Sequence, residues 1–203
     1  MFASKTKRID IFIIFSYGVV YFLLNIFYDQ IVKKIGQIYY YSFYTFLESL
    51  SFSLILLYNI QNKKAKILIL ISQFLFGVFQ IVFLLKATLK ILDSVPIGIE
   101  TILIYICIFY FFYERFQNAK SEYIYNDHCF WISIGLMLYL GGSFFFYILA
   151  DHMELNEAQK YWDVTFIIET VKNILFAVAI LVYVKNKNKE RIPNQNLPYL
   201  DFN

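Results

Sequence analysis

Residues 67–86 read ILILISQFLFGVFQIVFLLK, twenty positions in which Lys86 is the only charge. As a helix rising ~1.5 Å per residue this stretch is ~30 Å long, the thickness of the hydrocarbon layer of a bilayer. Five more runs of similar character flank it, at about 9–29, 38–60, 95–113, 130–150 and 164–184. Backbone N–H and C=O groups have no water to bond in lipid, so the runs must be helices in spite of their strand-favouring Phe, Ile and Tyr content. The expectation is an all-α integral membrane bundle of six transmembrane helices forming one domain over residues 1–185. The polar tail 186–203, which contains Pro193 and Pro198, is expected to be disordered.

Composition supports this. Hydrophobic residues make up 60% of the 203 positions and charged residues 16%, more apolar surface than a soluble domain of this size can hide. Lys5, Lys7 and Arg8 precede the first run in the manner of a signal peptide, but Ile11 to Phe27 is long for such a segment and no small-x-small cleavage site follows. It is read as a retained helix.

Basic residues orient the bundle. Twelve lie on one side: Lys5, Lys7, Arg8, Lys63, Lys64, Lys66, Arg115, Lys120, Lys185, Lys187, Lys189 and Arg191. The other side has five, Lys33, Lys34, Lys86, Lys90 and Lys160, and its last loop, 151–163, is acidic. The richer side is expected to be cytoplasmic, with both termini inside and the chain in the cell's inner (plasma) membrane. The base therefore serves topology, and with Lys outnumbering Arg 15 to 3 no nucleic-acid partner is expected. Tyr39, Tyr40, Tyr41, Tyr161 and Trp162 are read as outer interface anchors, and Trp131, Tyr113 and Tyr183 as inner ones. Asp93 and Ser94 before Pro96 suit the first turn of the fourth span.

Ionisable side chains within spans are costly and face a bundle interior, which makes each a functional hypothesis. Here they are Glu48, Glu100, Glu169 and Lys172, with Asn25, Gln80 and Asn173 as neutral companions. Counting from the outer ends places Asn25, Gln80, Glu100 and Glu169 at roughly 5–10 Å depth, Lys172 and Asn173 at about 12–14 Å and Glu48 at about 15 Å. Five helices thus contribute to a polar layer in the outer half, beside Gly141 and Gly142, which permit close helix contact. Glu169, Lys172 and Asn173, at i, i+3 and i+4, share one face, so Glu169 and Lys172 are expected to pair. Glu48 and Glu100 are left without an obvious basic partner. The competing reading makes all of these interhelical hydrogen-bonders, at about 0.6 kcal/mol each. If they form a pocket, Glu48, Glu100 and Glu169 must converge.

Other signals are weak. Gln73 reads as a helix-packing hydrogen-bonder, Cys129 as a boundary thiol beside His128, and Cys107 as a small buried or lipid-facing residue. His152, Glu154 and Glu157 resemble a loose metal site but lack a second histidine, so no metal is expected. With no glycine-rich phosphate loop, GxSxG or HExxH pattern, no cofactor and no catalytic residue is expected.

From residue 93 onward the chain carries Asp93-Ser-Val-Pro-Ile-Gly-Ile-Glu100, Tyr110 to Tyr113 followed by Glu114, Phe130-Trp131 through Gly141-Gly142-Ser143-Phe144-Phe145, and Val171-Lys172-Asn173-Ile174-Leu175. With Tyr44-Thr-Phe-Leu-Glu48, these runs resemble small polytopic bacterial membrane proteins of unknown function, often found beside or fused to sensor histidine kinases. The resemblance implies that Glu48 and Glu100 belong to a shared pattern and that a sensor kinase or other membrane protein is a partner. It carries over no catalytic residue. The expected function is a non-enzymatic sensory or regulatory membrane component in contact with lipid, as a monomer or homo-oligomer. The alternative is a small transporter or channel whose intramembrane glutamates bind a cation or a proton-coupled substrate.

Overall fold

The computed structural model describes residues 3–86, 94–117, 124–150 and 155–191, and every described segment is helical or a connection between helices. The helices are α1 (Ala3–Ile26), α2 (Tyr28–Ile35), α3 (Gln37–Asn59), α4 (Lys63–Lys86), α5 (Ser94–Gln117), α6 (His128–Ala150) and α7 (Leu155–Arg191), with one 3-10 turn at Ile124–Asn126. The Asp93 cap, Lys90, Lys120, His152, Glu154 and the tail beyond Arg191 lie outside the described residues, as do the side chains of Lys5, Lys7, Arg8, Glu157, Tyr161 and Trp162.

Five of these helices are long and apolar enough to cross a membrane: Ile9–Ile26, Lys63–Lys86, Val95–Gln117, His128–Phe146 and Asp163–Asn188. The protein is therefore a helical bundle of multi-pass type. α3, expected as a sixth span, is not one of the five. Its tyrosines, serines and Glu48 lower its apolarity, and its position explains why it tolerates them. α3 packs against α1, α4 and α5, so neighbouring helices rather than lipid surround much of it. Ser42, Thr45, Glu48, Ser49, Phe52, Ser53 and Leu56 are buried at helical spacing. α4 is the reverse case, with a thin buried stripe of Ile69, Phe76 and Gln80 and an outward face of Leu68, Phe74, Leu75, Ile81 and Leu85.

Two departures from the sequence reading concern helix ends. Residues 28–35, expected at a span end and in a connection, form α2, which has no buried residue and stops at Gly36, whose φ of 91° favours glycine. α7 begins at Leu155 and runs to Arg191, so 155–163 are not loop and 186–191 are not disordered tail. Neither extension contains Gly or Pro, both include Lys, Glu and Asn, and the next proline in the sequence is Pro193. Side-chain positions also differ: Tyr40 is buried rather than an exposed anchor, and Cys129 is fully buried rather than a boundary thiol.

The apolar core joins Ile14 and Tyr21 of α1, Phe52 and Ile55 of α3, Ile104 and Phe111 of α5, Leu136 of α6, and Phe176 of α7. Close approach of α6 depends on its glycine pair. A Cβ at Gly141 would collide with the Tyr105 hydroxyl, and one at Gly142 with Ile168. Gly142→Val should therefore lower stability by about 1–3 kcal/mol through overpacking. Gly18→Ala, where a Cβ meets nothing within 4 Å, should leave it unchanged or slightly raised; denaturant unfolding of the two variants in mild detergent makes the comparison.

Candidate functional site

Lys172 of α7 is 0% exposed and is the centre of the site. Its ammonium donates to the Tyr17 hydroxyl of α1 at 2.7 Å, and Tyr17 in turn donates to Glu48 Oε1 of α3 at 2.7 Å. Tyr139 of α6 donates to the other Glu48 oxygen at 3.1 Å. The ammonium lies 4.0 Å from Glu48 Oε1 and 3.9 Å from Glu169 Oε1, the latter one turn away on α7. It also lies 3.8 Å from the ring centre of Tyr139 and 4.9 Å from that of Tyr17, over faces that attract a cation. Four helices thus converge on one charge. A buried ion needs such partners, because desolvating it without them costs several kcal/mol.

The expectation that Glu48 lacks a basic partner is overturned: Lys172 serves both Glu48 and Glu169. Sequence spacing displayed only the partner one turn away, whereas Glu48 reaches Lys172 across the fold. Glu100 of α5 is buried at 1% exposure, and its Oε1 has no hydrogen-bond partner. Its nearby charged groups are Glu48 and Lys172. Glu169 has a side chain about one-third exposed, 33%. Of the neutral companions, Asn25 and Asn173 are exposed and stand away from the cluster. Asn173 adjoins Lys172 in sequence but is turned by about 100° around the helix, which takes it off the buried face. Gln80 is buried with its Nε2 unpartnered, and lies instead in a cleft of about 830 Å³ between α3 and α4. Phe43, Phe46, Phe74, Gly77 and Ile81 also line that cleft, and Glu48, Glu100 and Lys172 do not. Gln73 accepts from Ser49 at 3.1 Å and Ser53 at 2.9 Å, the interhelical role expected of it.

A second polar centre escaped the sequence reading. Asp10 of α1 is 0% exposed, and its Oδ2 lies 2.6 Å from His128 Nε2 at the start of α6. Asn59 Nδ2, at the end of α3, donates to the same oxygen at 3.1 Å. The other His128 nitrogen lies 3.4 Å from Asp127, whose carboxylate accepts from the backbone N–H of Cys129 as an N-cap of α6. Tyr183 of α7 packs edge-on against the His128 ring. Beside this centre, Glu114 of α5 accepts the backbone N–H groups of Gln61 at 2.6 Å and Asn62 at 2.8 Å, and Arg115 pairs with Asp127 at 3.2 Å. One signal was available: Asp10 and His128 open two apolar runs that the charge rule starts from the same side of the membrane.

The two centres share their helices. Glu48 and Asn59, Tyr139 and His128, and Lys172 and Tyr183 are each eleven residues apart, about three turns or ~16 Å of helix. α1 supplies Tyr17 and Asp10, two turns apart. Each of α1, α3, α6 and α7 therefore carries a member of both centres. Among the described residues, no group of three or more His, Cys, Asp or Glu side chains is arranged to hold a metal ion.

Comparison of the chain with protein-family models, with curated proteins and with solved structures finds no match.

Proposed function

We propose that this chain is a non-enzymatic, multi-pass membrane component with a sensory or regulatory role, in which the Lys172 centre locks one arrangement of the helices. In this reading α3 is a sixth span, shielded by its neighbours, and both termini face the cytoplasm of a bacterial inner membrane. Twelve basic residues against five support that orientation.

One observation carries the reading: a fully buried lysine on α7 is gripped simultaneously from α1, α3 and α6, and the helix that bears it continues unbroken to Arg191. α7 is roughly 55 Å long against a hydrocarbon layer of ~30 Å. Any stimulus that loosens the ammonium's partners shifts a rod that reaches beyond the bilayer. A charge change at a buried centre biases a two-state packing through differential interaction with the two states. The aromatic and carboxylate partners are arranged to hold the lysine, which suits a lock.

The test is purification from the native membrane in mild detergent, with co-purifying proteins identified and quantified by mass spectrometry. The reading expects a stoichiometric membrane signalling protein whose association falls at least several-fold in Lys172→Met. A chain that arrives alone, or a partner bound equally by wild type and Lys172→Met, contradicts it.

A further inference from the structure

The charges of the central cluster do not balance. Glu48 and Glu100 are both buried, and among the described residues Lys172 is the one buried lysine or arginine, its charge acting on both. Lys172 is moreover shared with Glu169. The Glu48 carboxylate is fully engaged by Tyr17, Tyr139 and Lys172, whereas Glu100 Oε1 has no hydrogen-bond partner. Burying a carboxylate that lacks a counter-charge of its own is costly, so uptake of a positive charge at Glu100 is favoured. Among the described residues, the groups acting on it include Glu48 from α3, Lys172 from α7 and Tyr21 from α1, and Tyr21 donates its hydroxyl proton to the Tyr44 carbonyl oxygen.

We propose that Glu100 is the exchange site of a single monovalent cation, a proton or an alkali ion, seated where α5 meets the Glu48–Lys172 pair. The proposal rests on the regulatory reading in that occupancy of Glu100 sets the charge of the lock. When the cation leaves, the freed carboxylate competes with Glu48 for Lys172. When it binds, Lys172 returns to Glu48 and the α3–α7 link is restored. The site thereby names the chemical class of the stimulus.

The test uses the full chain in lipid nanodiscs, labelled with carboxyl-¹³C glutamate and read by infrared difference spectroscopy. One arm steps pH in N-methylglucamine chloride; the other exchanges N-methylglucamine for Na⁺ at constant pH. A proton source is expected to convert about one carboxyl group per chain from acid to carboxylate in the first arm. An alkali source is expected to shift a carboxylate band in the second. In either case the change should vanish in Glu100→Gln and persist in Glu169→Gln. If Glu100→Gln does not fold, Glu100→Asp, labelled with carboxyl-¹³C aspartate instead of glutamate, should keep the response with a displaced midpoint. Wild type without any cation-dependent carboxyl change, or a response that persists in folded Glu100→Gln, overturns the proposal. So does an unmoved midpoint in Glu100→Asp. Partner association sensitive to Lys172→Met, found together with no cation response, removes the cation site while leaving the regulatory reading intact.

Discussion

Lys172→Met should destabilise the bundle by about 3–5 kcal/mol, the cost of leaving a buried carboxylate without its counter-charge. Methionine fills much of the lysine stem's volume, so the loss is electrostatic more than a cavity effect. The variant removes the donor to Tyr17 and the cation beside Glu48 and Glu169 at once. Pairing it with Glu48→Gln should restore most of the loss, because the uncompensated charge then disappears with its partner. Denaturant unfolding in mild detergent, as a double-mutant cycle, measures both. A single variant within about 0.5 kcal/mol of wild type would mean that Lys172 merely sits in the core.

The second large effect is expected at Asp10. Asp10→Ala deprives His128 and Asn59 of their shared acceptor in a site that water does not reach, and should cost about 2–4 kcal/mol. Asp10→Asn keeps the shape and one carbonyl acceptor, so its cost should be clearly smaller, about 1–2 kcal/mol. Unfolding measurements give the ranking, and amide exchange gives the location. Protection should fall first where α1, the end of α3 and the start of α6 meet. Equal costs for the two variants would show that the carboxylate's acceptors are immaterial there.

How much of this was legible in the sequence differs between fold and site. Helical character and the apolar runs followed from length and hydropathy alone, as in 67–86. The ends did not follow, because α2 and the continuation of α7 beyond 184 are polar helices that hydropathy does not distinguish from a loop and a tail. For the site, Glu48 and Lys172 announced themselves as charges deep within apolar runs. Their partnership could not be read, since helical spacing reveals neighbours one turn away, such as Glu169, and not a carboxylate on another helix. Asn25 and Asn173 lie within apolar runs at the depth of the polar layer, but depth says nothing about the side of the helix on which a residue stands. Asp10 and His128 were passed over because a polar residue at the edge of an apolar run looks solvated, whereas α3 and α7 cover this pair.

If the Lys172 centre governs the position of α7, the effect must reach the far end of the bundle. Asn186 of α7 donates to the Asn126 carbonyl oxygen at 2.7 Å, which makes the two positions neighbours across the bundle. Asn186 is fourteen residues from Lys172, about 21 Å along the helix. Disulfide yield between cysteines introduced at 126 and 186, with Cys107 and Cys129 replaced by alanine, can be compared in native membranes with and without Lys172→Met. The substitution should lower the yield at least several-fold although it touches neither position. An unchanged yield in a folded chain would contradict it.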